Sequence, residues 1–308
     1  MQYTSNILMI RPASFRMNEE TAVNNYFQSE TQLDPRMVVG AAQREFDEFV
    51  ALLRANGVNV IVVEDIQEND TPDALFPNNW ISMHEDGKVG LYPMFAENRR
   101  RERREDILNV LEENGFEISE VIDYSSAEEE EVFLEGTGSL ILDRENGIAY
   151  CALSDRADEE LLIEFCEDFE YTPIIFGAYQ SAENKRLPIY HTNVMMCVAD
   201  QFAVICLESI DDKKERKAVK EQLKSTGKTI VTITEKQMHE FAGNMLQVKA
   251  KNGPALVMSD RAYRSLQPDQ IKTLESFGPI IHPKLDIIET CGGGSARCMM
   301  AEIFLPQG

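Results

Sequence analysis

The residues with the greatest chemical reach lie near the carboxy end. There the chain reads CGGGSARCMMAEIFLPQG, with three glycines, Gly292 to Gly294, and then Cys298 four residues on. Glycines let backbone N–H groups approach a ligand where a Cβ would obstruct them. A thiol between such a loop and an apolar stretch, close to Arg297 and to free amides, suits a thiolate that attacks an electrophilic carbon. The same segment also fits a buried cysteine on a closing strand.

A nucleophile needs a base and a group to orient it, and these must come from elsewhere in the chain. The repeats show how. Residues 133–158 and 241–263 match along their length. Each opens on a glycine-bearing turn, runs through an apolar strand, turns at Asn146-Gly147 or Asn252-Gly253, runs through a second strand and ends Ser-Asp-Arg. Asn-Gly is a hairpin signal. Ser154 and Ser259 then read as helix N-caps. Weaker copies lie at 77–94 and 191–209, and residues 291–305 with the amino-terminal strand 5–12 make a fifth. The copies start near residues 78, 135, 191, 242 and 291.

Between hairpins the pattern changes to a helical period. Residues 35–56 place Val39, Phe46, Phe49, Val50 and Leu53 on one face, and 98–113, the segment marked by Leu161, Leu162, Phe165 and Phe169, 211–224 and 268–277 do likewise. Short β-branched strands such as 58–64 and 228–235 follow. The unit is hairpin, helix, strand. One unit cannot bury both faces of its sheet, whereas five around an axis can, which predicts an α/β fold closed as a five-bladed α/β propeller in a single domain, 1–308. The alternative, an open sheet in two lobes, would lack the hairpins.

In such a ring the turns that open the hairpins converge. They carry Asp73, Asn78 and Asn79 in the first copy, Glu135 in the second, His191 and Asn193 in the third and Cys298 in the fifth. Taken singly, His191 reads as a core-edge histidine, Glu135 as a turn cap, Asn78 and Asn79 as turn formers and Trp80 as packing. Together, at equivalent points, they read as a thiol–imidazole–carboxylate constellation.

Bulk properties narrow the partners. The net charge is −23 and the pI about 4.6, which argues against nucleic acid and anionic membranes. Six cysteines occur without a C-x-x-C pair, no signal peptide opens the chain and no apolar run reaches membrane length, so a reducing cytoplasm is expected. The four histidines are scattered, without zinc spacing; neither a metal nor another cofactor is expected. The acidic run from Glu128 to Glu131 reads as a solvated loop or helix start. A homo-oligomer is left open.

Several motifs resemble one superfamily over essentially the whole chain. PDALFPNNW is similar to the substrate-binding motif of dimethylarginine dimethylaminohydrolases, and AENRRRERR to their arginine-bearing segment. LEGTG resembles an E-G-G turn, ALSDRAD an L-S-x-R-T turn, HTN the H-x-D motif of deiminases and GGGSARCMM the glycine-rich cysteine motif. The chain is identified as a member of the pentein, or guanidino-group modifying, superfamily, whose opening ILMIRPASFRMNEETAVNNYFQ looks most like the citrulline-utilisation hydrolases. The resemblance implies Cys298 as nucleophile, His191 as general acid and base, and Glu135 as its orienter or guanidinium ligand. It implies Asp73, Asn78, Asn79 and Asn193 at the substrate, and Arg99 and Arg156 at a substrate carboxylate. Arg261 holds the place of Arg156 in another repeat, which favours a structural share in that role. Cys291, outside the matched motif, is the rival thiol.

One departure stands out. Relatives that bind guanidinium tightly carry carboxylates where Asn79 and Asn193 stand. A neutral amide loses charge pairing with a guanidinium but matches a ureido group, so the substrate is expected to be either less charged than arginine or held chiefly by Glu135 and Asp73. The expected activity is hydrolysis of a C–N bond in a guanidino- or ureido-bearing small molecule of the arginine, methylarginine or citrulline type. The alternatives are an amidinotransferase and a non-catalytic propeller-type binding protein.

Overall fold

The computed structural model describes every residue of the chain except 30, 32, 33 and 183. Its strands form five three-stranded sheets with one plan, an antiparallel hairpin joined by a third strand that runs parallel to the hairpin's second. The five are Ile81–Met83, Lys88–Leu91 and Glu120–Asp123; Leu140–Asp143, Ile148–Leu153 and Thr172–Gly177; Met196–Val198, Phe202–Ile205 and Thr229–Thr232; Leu246–Ala250, Gly253–Val257 and Ile280–Ile281; and Ala301–Glu302, Asn6–Arg11 and Asn59–Glu64. The last sheet joins the two ends of the chain, with Leu8 opposite Ala301 in antiparallel register and opposite Ile61 in parallel. A parallel partner needs a crossover, and helices supply it. The architecture is mixed α/β. Among the described residues no helix is long and apolar enough to cross a membrane.

The hairpins turn where the sequence places Asp86-Gly87 and Asn146-Gly147, with φ of 85° and 60° at the glycines. The long helix Pro35–Ala55 buries Val38, Ala42, Phe46, Phe49, Val50 and Leu53 against the sheet that joins the termini. Val38, not Val39, heads that stripe. The helices Glu159–Asp168, Lys213–Ser225 and Pro268–Glu275 lie close to their expected bounds.

Two local expectations are corrected. The segment 98–113 is two helices, Glu97–Arg100 and Glu105–Glu113. The break turns Arg99 into the core, while Arg103 reaches Glu128 at 2.6 Å and the Tyr92 carbonyl at 3.1 Å. Asp158, not Ser154, caps Glu159–Asp168, accepting from the N–H groups of Glu160 and Leu161. The acidic run lies at the end of a short helix, Ser125–Glu130, where Glu128 also accepts from the Met94 N–H at 2.7 Å. Finally, Tyr179–Ala182 and Lys185–Pro188 form an extra hairpin. Its polar sequence gives no apolar alternation; Arg186 fastens it to Asp211 and Glu235.

One buried ion pair joins adjacent sheets. Lys228 Nζ lies 3.3 Å from Asp143 Oδ2 and donates to the Asp200 carbonyl at 2.7 Å, both side chains being almost wholly buried. Lys228→Met leaves a buried carboxylate unpaired, at an expected cost of about 3–5 kcal/mol. Urea unfolding should show that loss, and the double variant Lys228→Met with Asp143→Asn should recover much of it.

Candidate active site

Four short turns bring the chemical residues together. Pro77–Asn79, Gly136–Ser139 and Thr192–Val194 each lead into the first strand of a hairpin, and Glu135 and His191 stand immediately before the second and third. His191 Nε2 donates to Glu135 Oε2 at 2.7 Å. The glycines of LEGTG permit this. A Cβ on Gly138 would stand 2.3 Å from Asn79 Nδ2 and 2.9 Å from His191 Nδ1, and Gly136, at φ 40°, passes close to the Asn78 carbonyl. The fourth turn is Ile288–Gly292, a single π-turn that opens into the glycine loop. Cβ atoms on Gly292 or Gly294 would strike the Phe76 ring.

The Cys298 sulfur receives two amide donors, Asn244 Nδ2 at 3.1 Å and Asn193 Nδ2 at 3.4 Å. Such donors suit negative charge on sulfur. Asn244 also accepts from the Arg297 backbone N–H at 3.0 Å, so one side chain fixes both the loop and the thiol. The sequence reading passed over Asn244. It stands in the turn FAGN, where the fourth repeat opens its hairpin, so the repeat itself carried the signal. The Arg297 guanidinium bonds the Met300 carbonyl and Glu302, with Cys298 still within its electrostatic reach. Cys291 lies in the apolar core beside the long helix and does not line the cavity at Cys298.

Buried charge surrounds this centre. Arg99 grips Glu102 with two bonds of 2.9 Å and donates to Asn79 Oδ1 at 2.9 Å and to the Phe76 carbonyl at 3.2 Å. Its fork is therefore largely taken up within the protein. Arg156 lies 3.6 Å from Glu135 Oε2 and donates to Asn24 Oδ1 and the Thr21 carbonyl. Glu135 also accepts from the Phe95 N–H at 3.0 Å. Burial pushes the Glu135 carboxyl up, but Arg156, His191 and Arg99 outweigh it and hold it at about 2. Burial lowers His191 to about 4, only partly offset by Glu135. The resting pair is a carboxylate with a neutral imidazole.

Asp73, Asn79, Arg99, Arg156, His191 and Cys298 line one cavity of about 10 Å³ with Asn25, Tyr190 and the three glycines. That is room for about one water. Asp73 Oδ1 and Asn79 Nδ2 are buried without a protein partner. Burial raises the Asp73 carboxyl, against the pull of Arg99 and Asn18. Asn78 and Asn193 are buried beside the cavity rather than in its wall. The segment after Arg16 closes it: Asn18 and Thr21 bond Asp73, Asn25 and Gln28 bond the Gly292 carbonyl, and Phe27 packs between Tyr190, His239 and Phe241. Among the described residues no cluster of His, Cys, Asp and Glu could hold a metal ion.

A family profile described as N,N dimethylarginine dimethylhydrolase, eukaryotic, matches residues 11–305, which include every residue of this cluster. The chain belongs to that family. It lies within the pentein, guanidino-group modifying superfamily. No curated protein sequence matches it. Among solved structures, apo ArgZ, an arginine dihydrolase from the ornithine-ammonia cycle in cyanobacteria, aligns with a TM-score of 0.74 at 15% identity, over 98% of this chain and 41% of that one. This chain thus spans about two fifths of ArgZ. The N-terminal domain of ArgZ, in a variant covalently bound to a reaction intermediate, gives 0.73 at 16% identity, over 98% of this chain and 99% of the domain. A dimethylarginine dimethylaminohydrolase, as a histidine-to-glycine variant in an adduct with S-methyl-L-thiocitrulline, gives 0.66 at 12% identity, over 98% and 100%. These likenesses establish the fold.

The buried pair makes the family member acid-sensitive in two windows. A depressed histidine is neutral when folded but protonated when unfolded, so its share of stability is full above about 6.5 and lost as pH falls towards about 4. The share from Glu135 is full above about 4.5 and lost as pH falls towards about 2. Denaturant midpoints measured across these ranges should fall less steeply for His191→Gln in the upper window and for Glu135→Gln in the lower.

Proposed function

We propose that this protein is a cysteine hydrolase that cleaves a C–N bond of a guanidino- or ureido-bearing amino acid through a covalent intermediate on Cys298. The observation that carries the reading is the shared cavity. A thiol, an imidazole backed by a carboxylate, and a carboxylate oxygen without a partner all face one enclosed space. In this reading the five sheets are the blades of one closed ring, in a single domain.

Cys298 passes its proton to His191 and attacks the central carbon, forming an S–C bond. The C–N bond breaks, and the departing nitrogen takes the proton from His191. His191 then takes a proton from water as its oxygen attacks the same carbon. The S–C bond breaks and the thiol is restored. Glu135 holds the ring by Nε2–H and offsets the charge of each passing imidazolium. Burial raises two of the three buried carboxyls, Asp73 and Glu102, the latter to about 7, while Glu135 stays ionised beside Arg99 and Arg156. Asp73 is the acceptor for the substrate nitrogens and the free N–H of Asn79 a further donor. Substrate is admitted when the segment 18–29 withdraws, which also frees Arg156 from Asn24 to meet a carboxylate.

Mass spectrometry of the protein with arginine, methylarginines and citrulline should show an adduct on Cys298, and Cys298→Ala should lose it together with at least about a thousandfold in rate. An unchanged rate would refute the reading. Counting ammonia against substrate separates one cleavage from two, and release without an added amine separates hydrolysis from amidino transfer. Asn79→Asp should shift preference towards the more cationic substrates; equal preference would remove Asn79 from the binding site.

A further inference from the structure

A further buried carboxyl lies in the turn that leads into the glycine loop, outside the machinery just described. Glu289 is wholly buried in the π-turn Ile288–Gly292. Single π-turns inside helices often mark functional sites. Its Oε1 accepts from the Ser295 hydroxyl at 2.6 Å, closing the glycine loop upon itself. The Glu289 carbonyl accepts from the Gly293 N–H at 3.1 Å, where φ is 62°, and the Ser295 carbonyl accepts from the Cys298 N–H at 3.0 Å. One short chain of bonds therefore runs from carboxyl to hydroxyl to the backbone of the thiol. Tyr190 holds the same loop from the cavity side, donating to the Gly293 carbonyl at 2.7 Å.

We propose that Glu289 is a positioning residue, whose bond to Ser295 sets the glycine loop and so places the Cys298 sulfur against Asn193 and Asn244. The proposal rests on the reading of Cys298 as nucleophile and adds the group that places it. A carboxyl suits the task better than a small hydroxyl because its longer side chain reaches from Glu289 to Ser295, six positions on. The other carboxylate oxygen, Oε2, is buried without a well-formed hydrogen bond, although the Ser259 hydroxyl lies near the carboxyl. An ionised carboxylate so placed leaves a charged oxygen poorly answered, whereas a protonated one does not. Its surroundings agree. Burial pushes Glu289 up to about 7, with Ser259, Ser295 and Arg261 pulling it down and Asp286 pushing it up. Glu45, on the long helix, instead accepts from the N–H groups of Ile287 and Ile288 at the head of the turn.

The test uses the whole chain and three variants, Glu289→Gln, Glu289→Ala and Ser295→Ala. Gln keeps an acceptor for Ser295 without charge; the other two cut the bond, and Ser295→Ala removes only a hydroxyl should Glu289→Ala fail to fold. Two readouts are taken. One is turnover of a guanidino substrate. The other is Cys298 alkylation by iodoacetamide at a fixed pH, located by mass spectrometry, which needs no substrate. Both cutting variants should lower kcat about tenfold to a hundredfold with little change in KM. They should also slow Cys298 alkylation at a fixed pH, because the sulfur leaves its amide donors. Glu289→Gln should match the parent in both. Its stability advantage over the parent should grow as pH rises from about 4.5 to about 7 and then level off, since a raised folded pKa gives stability that is lost across that window. Parent-like alkylation and kcat in the folded cutting variants would overturn the proposal, as would a Glu289→Gln variant as impaired as Glu289→Ala. If no guanidino compound is turned over, the substrate reading fails while the alkylation arm still decides on Glu289.

Discussion

A guanidinium removed from water is stable only where carboxylates and carbonyls meet it, and Arg99 meets that demand at the centre of this molecule. Its bonds to Glu102, Asn79 and the Phe76 carbonyl tie together the arginine-bearing segment and the turn that opens the first hairpin. Glu135 lies within reach of the same cation and of Arg156, and holds His191. Each charge is tolerable in the interior only because the others are there. The imidazole is thereby placed by electrostatics as well as by packing. The cluster also explains why Gly136 and Gly138 have no side chains, since the turns that carry the charges must nearly touch.

The repeat supplies five similar turns, yet the chemistry is asymmetric. The second and third copies deliver a carboxylate and a histidine, and the fifth delivers a sulfur. The third and fourth deliver the amides at that sulfur. The two Ser-Asp-Arg segments show how equal sequence diverges. Arg156 is buried beside Glu135 and lines the cavity, while Arg261 pairs with Glu240 in a half-exposed position. A backbone plan shared among repeats sets where side chains begin; what surrounds each turn decides what they do.

Much of this was legible in the sequence. The Asn-Gly and Asp-Gly turns and the alternation from strand to helical period gave the hairpin–helix–strand plan, and the glycine loop pointed to Cys298. The meeting of His191 with Glu135 followed from their equivalent places in the repeat. What escaped notice depended on partners far along the chain. Arg99 turns inward and splits a helix because Glu102, Asn79 and the Phe76 carbonyl await it, which no helical period records. The hairpin at 179–188 is held by Arg186 and Glu235 rather than by an apolar face. Arg297 stands next to Cys298 in sequence, but its hydrogen bonds go to Glu302 and the Met300 carbonyl, which no local pattern records. Asn244 sat in a turn without a titratable group, where a search for acids, bases and thiols does not look.

The closed segment over the cavity has a further consequence. Thiolates are consumed by peroxide and by stray disulfides as readily as they react with their intended partners. Here the sulfur is shut behind Asn25, Gln28 and the glycine loop, in a space that holds little more than a water molecule. Under the proposed mechanism, oxidants reach it only during the intervals when that cover withdraws. The lifetime of the thiol would then be governed by how often the cover opens, and a molecule that fills the cavity would protect the sulfur for as long as it stays.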